Sequence, residues 1–154
     1  MTINENNLLD TIETSFINVH LPDAPAVAGL SFRPICSEQD ADALYAVRVG
    51  CAARDQIDPL STLEGMPSRE QIVEMLSNAV AENQQDRWLM AQVDEQVVGY
   101  SRMTSWREAD GMWVYLSLGW VQPEWRGQGI GTALLHWVEE RIRRLAAAEH
   151  PNEK

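Results

Sequence analysis

The stretch VQPEWRGQGIGTALL, residues 121–135, carries the most informative pattern in this 154-residue chain. It places Arg126, Gly127, Gly129 and Gly131 between an apolar run and an amphipathic helical pattern. A loop between a strand and a helix N-terminus presents unpaired backbone N–H groups and the positive end of the helix dipole. Glycine lets a ligand approach that backbone closely, and Arg126 can add a charge-assisted contact. We therefore predict an anion-binding loop.

Two familiar nucleotide loops do not fit this spacing. A Walker loop needs a Lys-Ser/Thr pair at its end, whereas Thr132 and Ala133 follow the last glycine here. The dinucleotide fingerprint is G-x-G-x-x-G, whereas this loop reads G-x-G-x-G, and no acidic residue follows about 20 residues later at the end of a second parallel strand. ATP-type and NAD-type binding are disfavoured.

The hydrophobic periodicity of the rest of the chain predicts an α/β fold of order β-α-α-β-β-β-α. In this fold, helices flank a mixed, mostly antiparallel sheet. Ser37 and Ser68 are predicted helix caps, and Ser68 with Gln71 forms a capping-box pattern. Asp94-Glu95 is predicted to turn a hairpin. The predicted strands are residues 30–34, 87–93, 96–106 and 112–121, and the predicted helices are residues 37–51, 68–82 and 129–148.

The loop and its flanks resemble the GNAT superfamily, the acetyl-CoA-dependent N-acetyltransferases. The family signature is Arg/Gln-x-x-Gly-x-Gly/Ala after a strand, and Arg126, Gly129 and Gly131 match it. The resemblance extends over residues 30–148 and implies acetyl-CoA as cosubstrate, no metal, and acetyl transfer to an unidentified small or peptide amine by direct attack.

The resemblance also implies where the cofactor lies. The loop holds the CoA pyrophosphate, and the end of the preceding strand pairs with the pantetheine arm. Two positions stay open: Gly119 also fits a strand bulge, and Trp125 either covers the cofactor or anchors the surface. The predicted cofactor-binding residues are Leu118, Gly119, Trp120, Val121, Arg126, Gly127, Gln128, Gly129, Ile130, Gly131 and Thr132.

The sequence assigns no catalytic residue. A general base would help to deprotonate the amine, because an alkyl amine has a pKa near about 10. The strand before the loop carries Tyr115 and Ser117 but no carboxylate. Glu108 and Asp110 belong to a predicted turn, and Glu64 belongs to a predicted loop, where an exposed charge is the simpler interpretation. The rival function is therefore a non-catalytic CoA-binding or interaction module.

Charge and cysteine content limit the partners and the location. The net charge of −11 argues against binding nucleic acid or an anionic membrane surface. Residues 1–29 are predicted to form an arm or linker before a domain at residues 30–154, and they lack a secretory-signal pattern. Cys36 and Cys51 flank a predicted helix, about 22 Å apart at a rise of about 1.5 Å per residue. Two cysteines that are too far apart to form a disulfide are typical of a protein in the reducing cytoplasm.

The resemblance covers only the N-terminal part of a GNAT domain, which continues with another strand, a helix and a closing hairpin. That later part usually supplies an Asn contact to the cofactor and the tyrosine that protonates the thiolate. We therefore expect a fragment of a longer, possibly tandem, acetyltransferase, or a second chain that completes the sheet. Residues 112–121 would then form an exposed edge, and we expect self-association through it.

Overall fold

The described residues contain four strands and three helices in the predicted order, so the predicted α/β fold is confirmed. The computed structural model describes residues 18–55 and 66–150, so Glu64 and most of its loop lie outside the described residues. Single turns of 3-10 helix occur at Glu38–Asp40, Gln85–Arg87 and Pro123–Trp125. The elements are β1 Leu30–Arg33, α1 Ala41–Asp55, α2 Arg69–Ala81, β2 Trp88–Val93, β3 Gln96–Arg107, β4 Trp113–Val121 and α3 Ile130–Glu149.

The two predicted caps begin the helices on one side of the sheet. The Ser68 hydroxyl accepts a hydrogen bond from the Gln71 backbone N–H at 3.1 Å, and the Gln71 side chain accepts one from the Ser68 N–H at 2.8 Å. This is the predicted capping box. Ser37 caps the 3-10 turn that leads into α1. That helix runs four residues further than predicted, to Asp55.

The sheet has the order β1-β2-β3-β4, and each of its pairings is antiparallel. The β3–β4 register runs without a shift from Gly99 opposite Val121 to Arg107 opposite Trp113. The bulge interpretation of Gly119 is therefore wrong; the irregularity lies between Ala91 and Gln92 on β2. Among the described strands, β4 forms an edge of the sheet.

Apolar side chains pack on both faces of the sheet. Adjacent residues of a strand point to opposite faces, and Leu89 and Met90 accordingly belong to two different clusters. Met90 packs with the helices α1 and α2, whereas Leu89 packs with α3. Burying each such side chain contributes about 1.5–3 kcal/mol. These two layers hold α3, and with it the glycine loop, against the strands.

The described part of the predicted N-terminal arm contacts the α3 side of the domain. The Val19 N–H donates to the Phe32 carbonyl at 2.7 Å, and Leu21 is buried in the same cluster as Leu89. Further along, Asp23 pairs with His136 of α3. These contacts tie residues 19–23 to β1 and α3.

Candidate functional site

The N-terminus of α3 has the local features of an anion-binding site. Gly129 occupies the cap position and provides no side-chain cap, and the first turn contains no acidic residue. The first helical bond joins the Ala133 N–H to the Gly129 carbonyl at 3.1 Å. The N–H groups of Ile130, Gly131 and Thr132 precede that bond and have no acceptor within the helix. Together with the helix dipole, they form the donor set of an anion site.

The glycines of the loop meet different steric requirements. Gly127 and Gly129 have φ values of +76° and +94°, a region that other residues enter only with strain. A Cβ at Gly129 would also lie 3.2 Å from the Pro25 Cβ. Gly131 is helical, and a Cβ there would make ordinary contact with Val121 at 3.6 Å. Its small size is therefore not needed for the fold.

The guanidinium of Arg126 makes two intramolecular connections in the structure. Its Nε donates to the Val121 carbonyl at 2.9 Å, and its two terminal nitrogens donate to the Asp55 carboxylate at 2.6 and 2.9 Å. The hydrogen bonds between Arg126 and Asp55 raise the pKa of Arg126 and lower that of Asp55. The arginine thus links the end of α1 to the end of β4. Sequence reasoning missed Asp55, because nothing in the local pattern marks a partner 71 residues away.

A thiol contacts the same backbone carbonyl. The buried Cys51 Sγ lies 3.3 Å from the Val121 carbonyl oxygen and donates to it. Burial is the main effect on this thiol and raises its pKa, which Arg126 partly offsets. Cys51 therefore remains protonated at neutral pH. It supports the loop and lacks the thiolate that a nucleophile requires.

A cavity of about 230 Å³ lies between β4 and α3, beside the glycine loop. Five of the predicted cofactor-binding residues line it: Leu118, Gly119, Trp120, Val121 and Gly131. Its other walls are Ser101, Ser117, Leu134, Leu135 and Val138. The side chain of Ile130 is instead buried in the core, so only its backbone N–H can contribute to the anion site.

A larger cavity of about 630 Å³ lies between the N-terminal arm and α3. Asp23, His136 and Arg144 are among its lining residues. It includes neither a residue of β4 nor a glycine of the loop. We therefore assign the candidate site to the smaller cavity.

The sequence model of the acetyltransferase (GNAT) family matches residues 54–151, well over half of the chain. The chain belongs to the GNAT acetyltransferase family. No curated protein matches the chain in sequence.

Solved structures share the GNAT fold with this chain. A ribosomal-protein-alanine N-acetyltransferase from Brucella melitensis is 25% identical with a TM-score of 0.53, over 73% of this chain and 67% of that one. A Salmonella typhimurium protein, assigned as an acetyltransferase and solved with its cofactor acetyl-CoA, is 18% identical with a TM-score of 0.55, over 76% of this chain and 65% of that one.

A structure assigned as an acetyltransferase from Pyrococcus horikoshii is 18% identical, with a TM-score of 0.51 over 81% of this chain. The chain spans only 38% of the length of that protein.

The candidate acid–base groups of this GNAT chain are distributed over three regions. Ser117 lines the cavity beside the loop. The Tyr115 hydroxyl lies 3.4 Å from the Glu149 carboxylate, at the C-terminal end of α3. Glu108 accepts from the Trp106 indole at 2.5 Å, and Asp110 accepts from the Met112 N–H at 2.9 Å. Both carboxylates therefore accept hydrogen bonds within the turn between β3 and β4.

Within residues 18–55 and 66–150, no cluster of His, Cys, Asp and Glu could hold a metal ion. None of the helices described there is long and apolar enough to cross a membrane.

Proposed function

We propose that this chain binds acetyl-CoA beside α3 and transfers its acetyl group to an amine. The observation that carries the proposal is the cavity that joins residues 118–121 of β4 to the first turn of α3. In this arrangement the backbone N–H groups of residues 126–132 bind the pyrophosphate. The pantetheine arm runs along residues 118–121. Acetyl-CoA in the Salmonella typhimurium relative supports this choice of cosubstrate.

The edge position of β4 suits a long, flexible cofactor. An edge strand presents N–H and C=O groups that an extended ligand can pair with, as a peptide does in β-augmentation. Main-chain pairing would orient the thioester without a dedicated side chain. The cavity is smaller than the roughly 300–1,000 Å³ typical of small-molecule pockets. It therefore takes a short part of the cofactor, and the nucleotide lies outside.

The reaction is a direct attack on the thioester. The neutral amine nitrogen forms a bond to the acetyl carbonyl carbon, the C–S bond breaks, and CoA leaves as a thiolate. A base removes one proton from the amine, and the thiolate accepts a proton from an acid. Both groups are unassigned. Small amines and peptide amines fit this chemistry equally, and the net charge of −11 favours cationic acceptors. Cys36 and Cys51 form no disulfide, which supports a cytoplasmic location.

Thermal melting with acetyl-CoA, ATP and NAD tests the cofactor. A ligand that binds only the folded state adds about 2.7 kcal/mol of stability at 100 times its Kd. We expect acetyl-CoA alone to raise the Tm. A shift with ATP or NAD and none with acetyl-CoA would refute the proposal.

A variant that fills the cavity tests whether the stabilisation by acetyl-CoA depends on binding in this cavity. The variant is Gly119→Val, because a Cβ at this position makes only ordinary contacts, at 3.7 Å or more. Thr104→Val, on β3 outside the cavity, is the control. We expect Gly119→Val to lose the acetyl-CoA shift while its own Tm is maintained, and Thr104→Val to retain both.

Transfer is tested separately from binding. The protein is incubated with acetyl-CoA and a panel of amines, and acetylated products are detected by mass spectrometry. We expect at least one amine to be acetylated faster than in buffer. A chain that binds acetyl-CoA but acetylates none of them would be the CoA-binding module considered as the rival function.

A further inference from the structure

Ser101 carries a buried hydroxyl that makes no hydrogen bond to the part of the chain that the structure describes. The residue is 1% exposed, and its Oγ has no hydrogen-bond partner among the described residues. It lines the cavity between β4 and α3. An unsatisfied buried hydroxyl is destabilising, and each such group in a native protein requires an explanation. No sequence motif marked this residue.

The register of the sheet places the hydroxyl toward the cavity. Ser101 on β3 stands directly opposite Gly119 on β4. Because Gly119 has no side chain, the space beside Ser101 stays open; a Cβ at Gly119 would lie 3.8 Å from the Ser101 Cβ. The preceding residue, Tyr100, packs in the cluster of α1 and α2. Strand alternation therefore turns Ser101 to the α3 face.

The α3 side chains that line the cavity are apolar and offer the Ser101 hydroxyl no hydrogen-bonding partner. Leu134 and Val138 of α3 are buried and apolar, and they form the far side of the cavity. A ligand group that satisfies Ser101 must therefore be polar and thin enough to pass beside Gly119. Gly119 lies two residues from the end of β4, about 6.6 Å along the strand. The ligand group consequently lies close to the anion loop.

We propose that the Ser101 hydroxyl hydrogen-bonds an amide of the pantetheine arm and thereby selects a cofactor that carries this arm. The inference rests on the proposed function, since it assigns a specificity residue to the same site. It makes Ser101 a binding residue and assigns it no proton transfer. The backbone of the loop recognises the phosphates, and Ser101 recognises the amide chain.

The experiment compares two ligands on matched variants. Ser101→Ala is titrated calorimetrically with acetyl-CoA and with 3′-phospho-ADP, which retains the phosphates but lacks the arm. The control is Ser105→Ala, on the same strand but bonded to Arg87 outside the cavity. A single hydrogen bond corresponds to about a two- to tenfold change in affinity. We expect Ser101→Ala to weaken acetyl-CoA by that factor and to leave 3′-phospho-ADP unchanged.

The ligand-free melting temperature gives a second readout. Because Ser101 bonds to no described residue, Ser101→Ala should melt at the wild-type temperature or higher, and Ser101→Cys should lose less affinity than Ser101→Ala. If Ser101→Ala and the wild type bound acetyl-CoA with equal affinity, this inference would be overturned, but the proposed function would stand. Equal weakening of both ligands would also overturn it, since that would indicate a general distortion. A wild-type protein without acetyl-CoA binding would overturn the proposed function as well.

Discussion

Arg126 connects the fold to the anion loop at the scale of a single residue. Replacing it with alanine removes the bonds to Asp55 and to the Val121 carbonyl. Both side chains of this ion pair are partly exposed, which weakens the pair through solvent screening. We therefore expect a less firmly positioned loop and a Kd for acetyl-CoA that rises about two- to fivefold. Arg126→Gln, which keeps one donor for Val121, should lose less. The measurement is isothermal titration calorimetry.

The control for Arg126 is another exposed arginine. Arg143→Ala removes the same charge from the outer face of α3, where the side chain is 70% exposed. It should bind acetyl-CoA like the wild type. If Arg126→Ala did so too, the loop would not depend on this arginine.

The second residue-scale prediction concerns Cys51. Burial raises its pKa above the ordinary 9.0, with Arg126 opposing. The folded protein therefore holds this proton more tightly than the unfolded chain. The resulting stabilisation is present below pH 9 and is lost as the pH rises through the folded-state pKa. We expect iodoacetamide at pH 8 to alkylate Cys51 much more slowly in the folded protein than in urea. Equal rates, measured by mass spectrometry, would contradict the burial argument.

At the scale of elements, the sequence predicted those features whose signals are local. Ser68 and Gln71 lie three residues apart, and both halves of their capping box form. The Asp94-Glu95 turn joins two strands within about a residue of their predicted bounds. Long-range pairings were not predictable. Asp55 meets Arg126, and Ser101 faces the cavity, only because the sheet and helices bring distant segments together.

The first turn of α3 gives an element-scale prediction through Gly131. A methyl group here meets Val121 at an ordinary distance, so Gly131→Ala should fold. Alanine stabilises a helix by up to about 1 kcal/mol relative to glycine, so the Tm should stay level or rise. Because Gly131 lines the cavity, the same methyl group should weaken acetyl-CoA binding. Melting curves with and without ligand measure both effects.

Gly127→Ala is the matched variant for this prediction. A Cβ at Gly127 meets open space, but its φ of +76° strains any other residue by about 1–2 kcal/mol. We therefore expect Gly127→Ala to lower the Tm. A loss of stability in Gly131→Ala of the same size would show that α3 requires glycine for its fold.

At the scale of the whole molecule, β4 leaves an unpaired edge in the described sheet, and we propose that a second copy pairs with its first half. Met112, just before this strand, is 61% exposed. Pairing over residues 113–117 would leave residues 118–121 to the cofactor. A net charge of −11 opposes association, and salt screens that repulsion. Light scattering should therefore show a mass that rises with protein concentration, and more steeply at 0.5 M than at 0.05 M salt.

Two lysine variants distinguish pairing through the β4 edge from nonspecific association. Val114→Lys places a charge on the edge strand, a substitution that natural proteins use to block edge pairing. Val49→Lys places the same charge on α1, where the valine is 44% exposed. Each variant changes the net charge equally, so a purely electrostatic effect would shift both alike. We expect only Val114→Lys to reduce association. A wild-type protein that remains monomeric at every concentration would refute pairing through β4, and the strand would then be open to acetyl-CoA along its whole length.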